Sequence, residues 1–256
     1  MKKLFPAFFF WHGSPMSAIE DNDFSRTWKN IWKTIEKPKA ILAISAHFET
    51  NHTYITTSEN LKTIHDFYGF PEELFRQNYD VKWDKELAFD IIKNIPEIKP
   101  SEDFWLDHWV WSVLIHMFPE KNIPVLELSI DLNKKALEHY ELWKKLKYLR
   151  ENWVLVMWSW NIVHSLWLID WYDKTTIYPW AEEFNENVKD LILKNDFEKL
   201  IDYKNLKYWD LAIQWKEHFL PLLYILALME PWEKIEFFND KIEMWSLSMT
   251  SVKIWE

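Results

Sequence analysis

The chain has 256 residues, a formal net charge of −10 and 48% hydrophobic residues, a size and composition that suit one large α/β domain. The negative charge argues against nucleic acid or an anionic membrane surface as a main partner, because both select for basic patches. The absence of cysteine excludes disulfides, thiolate metal sites and cysteine nucleophiles, and it suits a cytoplasmic protein. Any metal must therefore be held by His, Asp or Glu.

Short apolar runs bounded by turn residues predict strands that are buried on both faces of a central sheet, at residues 4–10, 40–46, 123–130 and 154–157. Helical periodicity predicts helices at residues 25–36, 84–95, 111–118, 133–150, 179–194 and 217–229. Alternation in residues 242–254 predicts one or two further strands at the sheet edge. Together these patterns predict a single α/β domain over residues 1–256, with a mixed, largely parallel sheet flanked by helices.

The N-terminal stretch MKKLFPAFFFW is similar to a signal peptide in its two lysines and its apolar run. Pro6 interrupts that run and no small-residue cleavage site follows, so a secretory signal is disfavoured. The longest other apolar run, residues 219–229, is shorter than the roughly 20 residues that span a bilayer. We therefore expect no membrane partner.

Tryptophan and glycine usage are both anomalous. The chain has 2 glycines and 19 tryptophans, whereas ordinary glycine usage of about 7% would give roughly 18 glycines. Several tryptophans occupy corners where a positive φ or a close backbone approach calls for glycine, namely Trp11, Trp109, Trp158, Trp160 and Trp245. This pattern indicates that the gene uses UGA for glycine and that the codon is read here as tryptophan.

Base composition fits this hypothesis, because 3 arginines against 27 lysines are typical of an AT-rich genome. The alternative is a protein that is truly rich in tryptophan for packing or stacking. UGG codons at positions 11, 109, 160 and 245 would contradict the hypothesis. Genuine tryptophans are expected at Trp28, Trp111 and Trp180.

Histidines follow several predicted strands. His12, in FWHGSP, and His47, in AISAHFE, lie at the carboxyl ends of buried strands, where open α/β sheets bind ligands. Others stand near helix starts or in loops, at His65, His108, His164 and His218. Each alone is more often structural, but together they predict a site for Fe, Zn or Cu. The spacing lacks the short pairs of HExxH or of a zinc finger, so the residues alone leave the ligand set open.

Other chemistries have less support in the sequence. Ser14 and Ser159 lack the GxSxG pattern of a nucleophile elbow, which disfavours a serine hydrolase. No Walker A or GxGxxG pattern is present, even when tryptophan is read as glycine. His139 lies in the charged amphipathic segment KKALEHYELWKKL and is predicted to be a solvated surface residue.

Nine segments carry a family pattern, in order and across nearly the whole chain: HGSPM, SAHF, TIHDFYGFP, DHWVWSVL, PVLELSID, NIVHSL, YPWAEEFNE, EHFLPLLY and EMWSLSM. The pattern resembles the 4,5-DOPA extradiol dioxygenase family of class III ring-cleaving dioxygenases. The family has glycine where this chain has Trp11, Trp105, Trp109, Trp160 and Trp245. It has tryptophan at Trp28, Trp111 and Trp180, and this contrast supports the codon hypothesis independently of composition.

The resemblance implies a class III extradiol fold with one divalent metal ion per chain. His12, His47 and His218 match the metal ligands of the family. His164 matches a fourth position, which is either a further zinc ligand or an acid–base group beside the metal. Literal indoles at positions 11, 109 and 160 would lie beside these corners and fill the pocket.

The resemblance also implies roles around the substrate, which would be a small aromatic diol of the DOPA type, together with O2. His108 matches a histidine that handles substrate protons, and His65 and Asp66 match a loop near the substrate. Fe(II) suits oxygenase chemistry, whereas Zn(II) could bind but has no accessible redox change. The alternatives are a non-catalytic metal- or ligand-binding protein and a zinc-dependent hydrolase on the same scaffold. The sequence leaves the substrate side chain and the oligomeric state open.

Overall fold

The computed structural model describes residues 3–11, 14–159, 161–170, 172–173, 175–214 and 219–256. His12, Trp160 and His218, which carry sequence predictions, lie outside the described residues. The chain forms two compact units that interleave along the sequence. Unit 1 comprises Met1–Pro6, His12–Asn133 and Tyr148–Ser159, and unit 2 comprises Ala7–Trp11, Lys134–Lys147 and Trp160–Glu256. The single catalytic domain over residues 1–256 stays a prediction.

The strands are β1 (Ala7–Phe10), β2 (Ala40–Thr50), β3 (Tyr54–Thr56), β4 (Asn60–Leu61), β5 (Val81–Lys82), β6 (Lys99–Ser101), β7 (Val125–Asp131), β8 (Val154–Ser159), β9 (Lys234–Phe238), β10 (Ile242–Glu243), β11 (Leu247–Ser248) and β12 (Ser251–Trp255). The helices are α1 (Asp23–Thr34), α2 (Glu72–Phe75), α3 (Lys85–Asn94), α4 (His108–Met117), α5 (Ala136–Lys144), α6 (Tyr148–Glu151), α7 (Pro179–Leu193), α8 (Phe197–Ile201), α9 (Trp209–Ala212) and α10 (Leu220–Ala227). Short 3-10 turns lie at Pro15–Ala18, Leu166–Leu168 and Tyr203–Asn205.

Unit 1 contains strands in the order β6-β3-β7-β2-β8. β2 pairs in parallel with both β7 and β8, and Ala43 lies opposite Glu127 on one side and Met157 on the other. β3 pairs in parallel with β6 and antiparallel with β7. The apolar runs of β2, β7 and β8 are buried as the sequence predicts, because parallel strands are covered on both faces.

Helix α4 packs against β2 and β8 in unit 1 and carries the candidate catalytic His108. It begins three residues earlier than its apolar periodicity predicts. The Asp107 carboxylate accepts hydrogen bonds from the backbone N–H groups of Trp109, at 2.9 Å, and Val110, at 3.3 Å. This N-cap satisfies donors that the first turn would otherwise leave unpaired, so the helix starts at His108.

Unit 2 contains the antiparallel order β1-β12-β9 and the fully buried helix α10. α10 packs on β1 and on α5. The Tyr224 hydroxyl lies 2.7 Å from Nδ1 of His139, and the Trp143 ring stacks on Tyr224 at 4.9 Å. His139 is 1% exposed, so the prediction of a solvated surface residue is wrong. The reason is that α5 turns His139, Leu142 and Trp143 inward together, at the i, i+3 and i+4 spacing of one helix face.

The α/β class with a mixed sheet and flanking helices is confirmed. The single helix predicted over residues 133–150 is wrong, because α5 and α6 are separated by a tight turn. In this turn Lys145, Leu146 and Lys147 donate to carbonyls three residues earlier. The turn keeps Leu146 fully buried. The segment 242–254 forms three short strands where one or two were predicted. Within the described residues, no helix combines the length and apolarity needed to cross a bilayer.

Two tryptophans lie in the left-handed backbone region. φ is +65° at Trp153 and +73° at Trp245, a conformation that side chains other than glycine adopt at a cost. Nε1 of Trp245 is also buried and has no hydrogen-bond partner among the described residues. By contrast, Trp11, Trp109 and Trp158 have no positive φ. The backbone therefore favours glycine at position 245, as the sequence predicts, and also at Trp153, which the sequence analysis does not single out.

The tryptophans expected to be genuine are placed differently. The Trp111 indole is fully buried and donates from Nε1 to the Ile64 carbonyl at 2.9 Å. Trp28 is also fully buried, although its Nε1 has no partner within the described part of the chain. Trp180 stacks on Tyr178, with ring centroids 5.8 Å apart. Trp111 thus fills a site built for an indole, and we propose that Trp153 and Trp245 stand at glycine sites.

We predict that W245G raises the free energy of unfolding by about 1 kcal/mol, since it removes left-handed strain and a buried unpaired N–H. The W111G control should lower the same quantity by about 3 kcal/mol or more, because it empties a filled core site. Urea unfolding of both variants measures the two changes. Equal losses of stability would contradict the proposal that position 245 is a glycine site.

Candidate functional site

The centre of the candidate site is the Asp66 carboxylate, which lies between two histidine rings of unit 1. Its Oδ2 is 2.8 Å from Nδ1 of His47, and its Oδ1 is 2.6 Å from Nδ1 of His108. Oδ1 also accepts from the backbone N–H of His108 at 3.3 Å. The ring centroids of His47 and His108 are 5.3 Å apart. One carboxylate therefore holds both imidazoles side by side.

The ionisation of Asp66 fixes the protonation of both rings. Burial opposes ionisation, but the hydrogen bonds from His108 and His47 outweigh it and hold the pKa of Asp66 below its usual range. An ionised carboxylate can only accept hydrogen bonds, so both Nδ1 atoms carry a proton. Nε2 is then the nitrogen at which each ring can bind a metal or accept a proton. This arrangement suits metal binding and proton transfer, because a carboxylate on Nδ1 makes Nε2 a better ligand and a better base.

Ser45 and Asp107 each fix the backbone beside one histidine of this pair. The backbone N–H of His47 donates to Oγ of Ser45 at 3.0 Å. The Asp107 carboxylate caps α4 immediately before His108. Burial, and then the charge of Asp66, raise the pKa of Asp107, whereas the Ser45 hydroxyl opposes that shift.

Glu127 is a second buried acid behind the pair, in the middle of β7. It is 1% exposed, and its Oε1 has no hydrogen-bond partner among the described residues. Burial, followed by the charge of Asp107, raises the pKa of Glu127 well above its usual range. The fold therefore favours the neutral form of this acid. Sequence reasoning missed this residue, although an acid inside the apolar run VLELSI was a visible signal.

Aromatic side chains line the loop that carries Asp66. The Phe67 ring lies edge-on to His108, with centroids 5.2 Å apart, and contacts His65 at 5.7 Å. Nε2 of His65 is 2.9 Å from the Gln77 carbonyl, and its ring also contacts Trp111. Gly69 has φ +80°, which permits the turn of this loop. The substrate-binding roles of His65 and Asp66 stay predictions, since their described polar contacts are to the protein itself.

The Trp109 indole packs against both histidines. Its ring centroid lies 4.1 Å from that of His108 and 4.7 Å from that of His47. The prediction placed this indole beside His108, and the structure places it there. A glycine at position 109 would leave the two rings open on this side.

The structure brings together only part of the predicted site among the described residues. His47, Asp66 and His108 have ligand atoms within 4.8 Å of one another and form a cluster that could hold a metal. Since Nδ1 of His47 bonds Asp66, coordination by His47 would use Nε2, which fits the predicted role of this residue. His164 belongs to unit 2, where its backbone N–H donates to the Ala212 carbonyl at 2.8 Å. His12 and His218 lie outside the described residues, so the full ligand set stays a prediction.

Comparison with known proteins connects this chain to ring-opening dioxygenases. Residues 6–253 match the family described as the catalytic LigB subunit of aromatic ring-opening dioxygenase. A protein of Escherichia coli (strain K12) named 4,5-DOPA dioxygenase extradiol is 40% identical over 255 residues, which cover 97% of this chain and 94% of that protein. A protein of the same name from Beta vulgaris is 31% identical over 260 residues, which cover 96% and 95% of the two chains.

A solved structure agrees with these sequence matches. An uncharacterized protein from Escherichia coli K12 superimposes with a TM-score of 0.86 and 35% sequence identity. The match covers 98% of this chain and 99% of the other. The likeness therefore extends over the whole fold.

We predict that W109G increases the affinity for Zn(II) at least about tenfold, or about 1.4 kcal/mol, because the indole packs against the ring that would bind the metal. Isothermal titration of the metal-free protein measures this change. W105G provides a matched control, since Trp105 is half exposed and has no described ring contact with either histidine. An unchanged affinity in W109G, or an equal gain in W105G, would contradict this role for the indole.

We predict that E127Q becomes more stable relative to the native chain as the pH rises above about 4.5, the ordinary pKa of glutamate. The folded state keeps the Glu127 proton while the unfolded state loses it, so native stability falls as pH rises. Glutamine has no proton to lose and avoids this effect. Urea unfolding at pH 4.5 and pH 7.5 measures the difference, and parallel profiles would show that Glu127 is ionised in the fold.

Proposed function

We propose that this chain, which belongs to the LigB family of aromatic ring-opening dioxygenases, acts on a catechol. It would use O2 to cleave the ring at the bond next to the diol. The reaction class, extradiol ring opening, is that of the family. The assignment of roles is supported by one observation: the Asp66 carboxylate is hydrogen-bonded to Nδ1 of both His47 and His108. The two rings therefore lie side by side, and one can offer a nitrogen to a metal while the other offers a nitrogen to a proton.

We propose one divalent metal ion per chain, with His12, His47 and His218 as its ligands and His164 as a further ligand or an acid–base group. Fe(II) is the ion that suits the reaction: when bound, it would supply the redox chemistry with O2 and binding positions for the diol oxygens. Zn(II) could occupy the same ligands without that redox chemistry. The imidazole set supports this proposal, because neutral nitrogen ligands suit Fe and Zn better than Mg or Ca.

His108 is proposed as the group that takes a proton from the diol. Its Nδ1–H is bonded to Asp66, so the proton would arrive at Nε2 and produce an imidazolium. The ionised Asp66 then stabilises that positive charge at 2.6 Å, as the buried carboxylate does in a catalytic triad. The same imidazolium can return the proton when the ring opens.

The substrate is proposed to be a catechol with a side chain of the DOPA type. The support is the name of the relatives, 4,5-DOPA dioxygenase extradiol, and the aromatic loop around Phe67. The Phe67 ring, held edge-on to His108, provides an apolar wall against which an aromatic ring could lie. His65 and Asp66 on this loop stay candidates for contact with the substrate.

The decisive experiment loads the chain, and in parallel W109G, with Fe(II) under anaerobic conditions and then adds a panel of catechols in air. We expect one equivalent of O2 to be consumed for each ring opened, with a yellow product. H108Q should lower kcat by about 100-fold or more while Fe(II) stays bound, because proton transfer typically contributes 10²–10⁴ in rate.

The matched control for H108Q is H116Q. His116 is a partly buried histidine of the same helix, and its Nε2 lies 2.7 Å from the Ser17 carbonyl, away from Asp66. H116Q should leave turnover unchanged. Tight Fe(II) binding with no oxygen consumption over the whole panel, in both the native chain and W109G, would contradict the proposed function.

A further inference from the structure

The indole of Trp111 is a buried polar group that the proposed reaction does not use. Trp111 lies in α4 and is fully buried, and its Nε1 donates a hydrogen bond to the Ile64 carbonyl at 2.9 Å. Ile64 stands two residues before Asp66, the carboxylate that bonds both His47 and His108. The indole therefore reaches the loop that carries the centre of the candidate site.

The backbone of Ile64 is held at both of its polar groups. Its N–H donates to the Leu106 carbonyl at 2.9 Å, and its carbonyl accepts from the Trp111 indole. Leu106 directly precedes Asp107, the N-cap residue of α4, so both partners belong to the short segment 106–111. A shift of Ile64 relative to the start of α4 would break at least one of the two bonds.

The Asp66 loop lies along one face of α4. His108 and Trp111 are spaced i and i+3, so their side chains are neighbours on the helix surface. The Phe67 ring contacts both, with centroids 5.2 Å from that of His108 and 6.3 Å from that of Trp111. The loop is thus bonded to one helix at two points, through Ile64 and through Asp66. Because the helix fixes the spacing of these points, it also fixes where the carboxylate meets His108.

We propose that Trp111 is a positioning residue, whose indole N–H holds the loop so that the Asp66 carboxylate meets Nδ1 of His108 and Nδ1 of His47 at once. The proposal rests on the proposed function only in treating His47 and His108 as the working pair. Position 111 then requires a hydrogen-bond donor as well as a large ring. This requirement gives a physical reason for an indole at this position.

Trp28 provides a matched control for the loss of buried ring volume. It is a fully buried tryptophan of α1, and its Nε1 has no hydrogen-bond partner within the described ranges. Its ring contacts His116, which also belongs to α4, with centroids 5.8 Å apart. W28F and W111F make the same change of side chain in the packing around α4. Only W111F also removes a hydrogen bond to the Asp66 loop.

The test compares W111F with W28F in the full-length, metal-free chain. The readouts are the affinity for Zn(II) and the downfield NMR signals of the Nδ1–H protons bonded to Asp66, which D66N identifies. W111F should speed the exchange of these protons with water at least about tenfold. It should also weaken Zn(II) binding about tenfold, as loss of a group that orients a metal ligand does.

W28F should lower stability in urea, as W111F does, because both variants leave a cavity. It should keep the proton exchange and the Zn(II) affinity within about twofold of the native values. Native exchange and native Zn(II) affinity in W111F, or equal changes in W28F, would overturn the proposal.

Hydrogen exchange of the native chain decides the question if W111F does not fold. The indole N–H of Trp111, assigned by its contact with the Phe67 ring, and the Nδ1–H protons bonded to Asp66 should exchange with the same dependence on urea. The reason is that one opening of the loop breaks both sets of bonds. Exchange of the Nδ1–H protons while the indole N–H stays protected would overturn the proposal.

The outcome is independent of turnover. A chain that opens no catechol but shows the W111F effect would contradict the proposed function and leave the positioning role standing. A chain in which W111F opens catechols with native kcat and KM, and with native Nδ1–H signals, would remove this role from Trp111 and leave the function standing.

Discussion

The Asp66 carboxylate is the constraint around which the candidate site is built. It bonds Nδ1 of His47 at 2.8 Å and Nδ1 of His108 at 2.6 Å, and these bonds set the tautomer and orientation of both rings at once. Two imidazoles that share one ionised partner can take different roles, because each presents Nε2 to a different task. Asp107 supports this arrangement, since it caps the helix that delivers His108.

The same geometry places a tryptophan against the candidate site. Trp109 packs against the rings of His108 and His47. Trp153 and Trp245 show a different conflict, since their backbones adopt the left-handed conformation that glycine takes without strain. We propose one explanation both for the indole that covers the candidate rings and for the indoles at left-handed turns, namely that each position is a glycine site. Trp111 marks the contrast, because its buried N–H has a carbonyl partner.

Much of the fold could be predicted from the sequence. The central strands β2, β7 and β8 were predicted because buried parallel strands are continuous apolar runs, a signal that depends only on local composition. The edge strands β6 and β9 were not predicted, since their residues are half exposed or exposed and owe their conformation to pairing with neighbours. The strand β3 was not predicted either, because it has only three residues. The burial of His139 escaped prediction for a related reason: its partner Tyr224 lies 85 residues away.

The sequence by itself determined the family and the α/β class, because nine ordered motifs and buried apolar strands survive as local patterns, and it predicted a metal site from histidines at strand ends. It also raised the question of the glycine positions, through composition alone. Only the tertiary structure decided that Asp66 bonds two histidines at once, that Ser45 and Asp107 each fix the backbone beside one of them, and that Glu127 is a buried acid of β7. The two bonds of Asp66 join β2, the Asp66 loop and α4 across 19 and 42 residues, and such contacts leave no periodic trace in the chain.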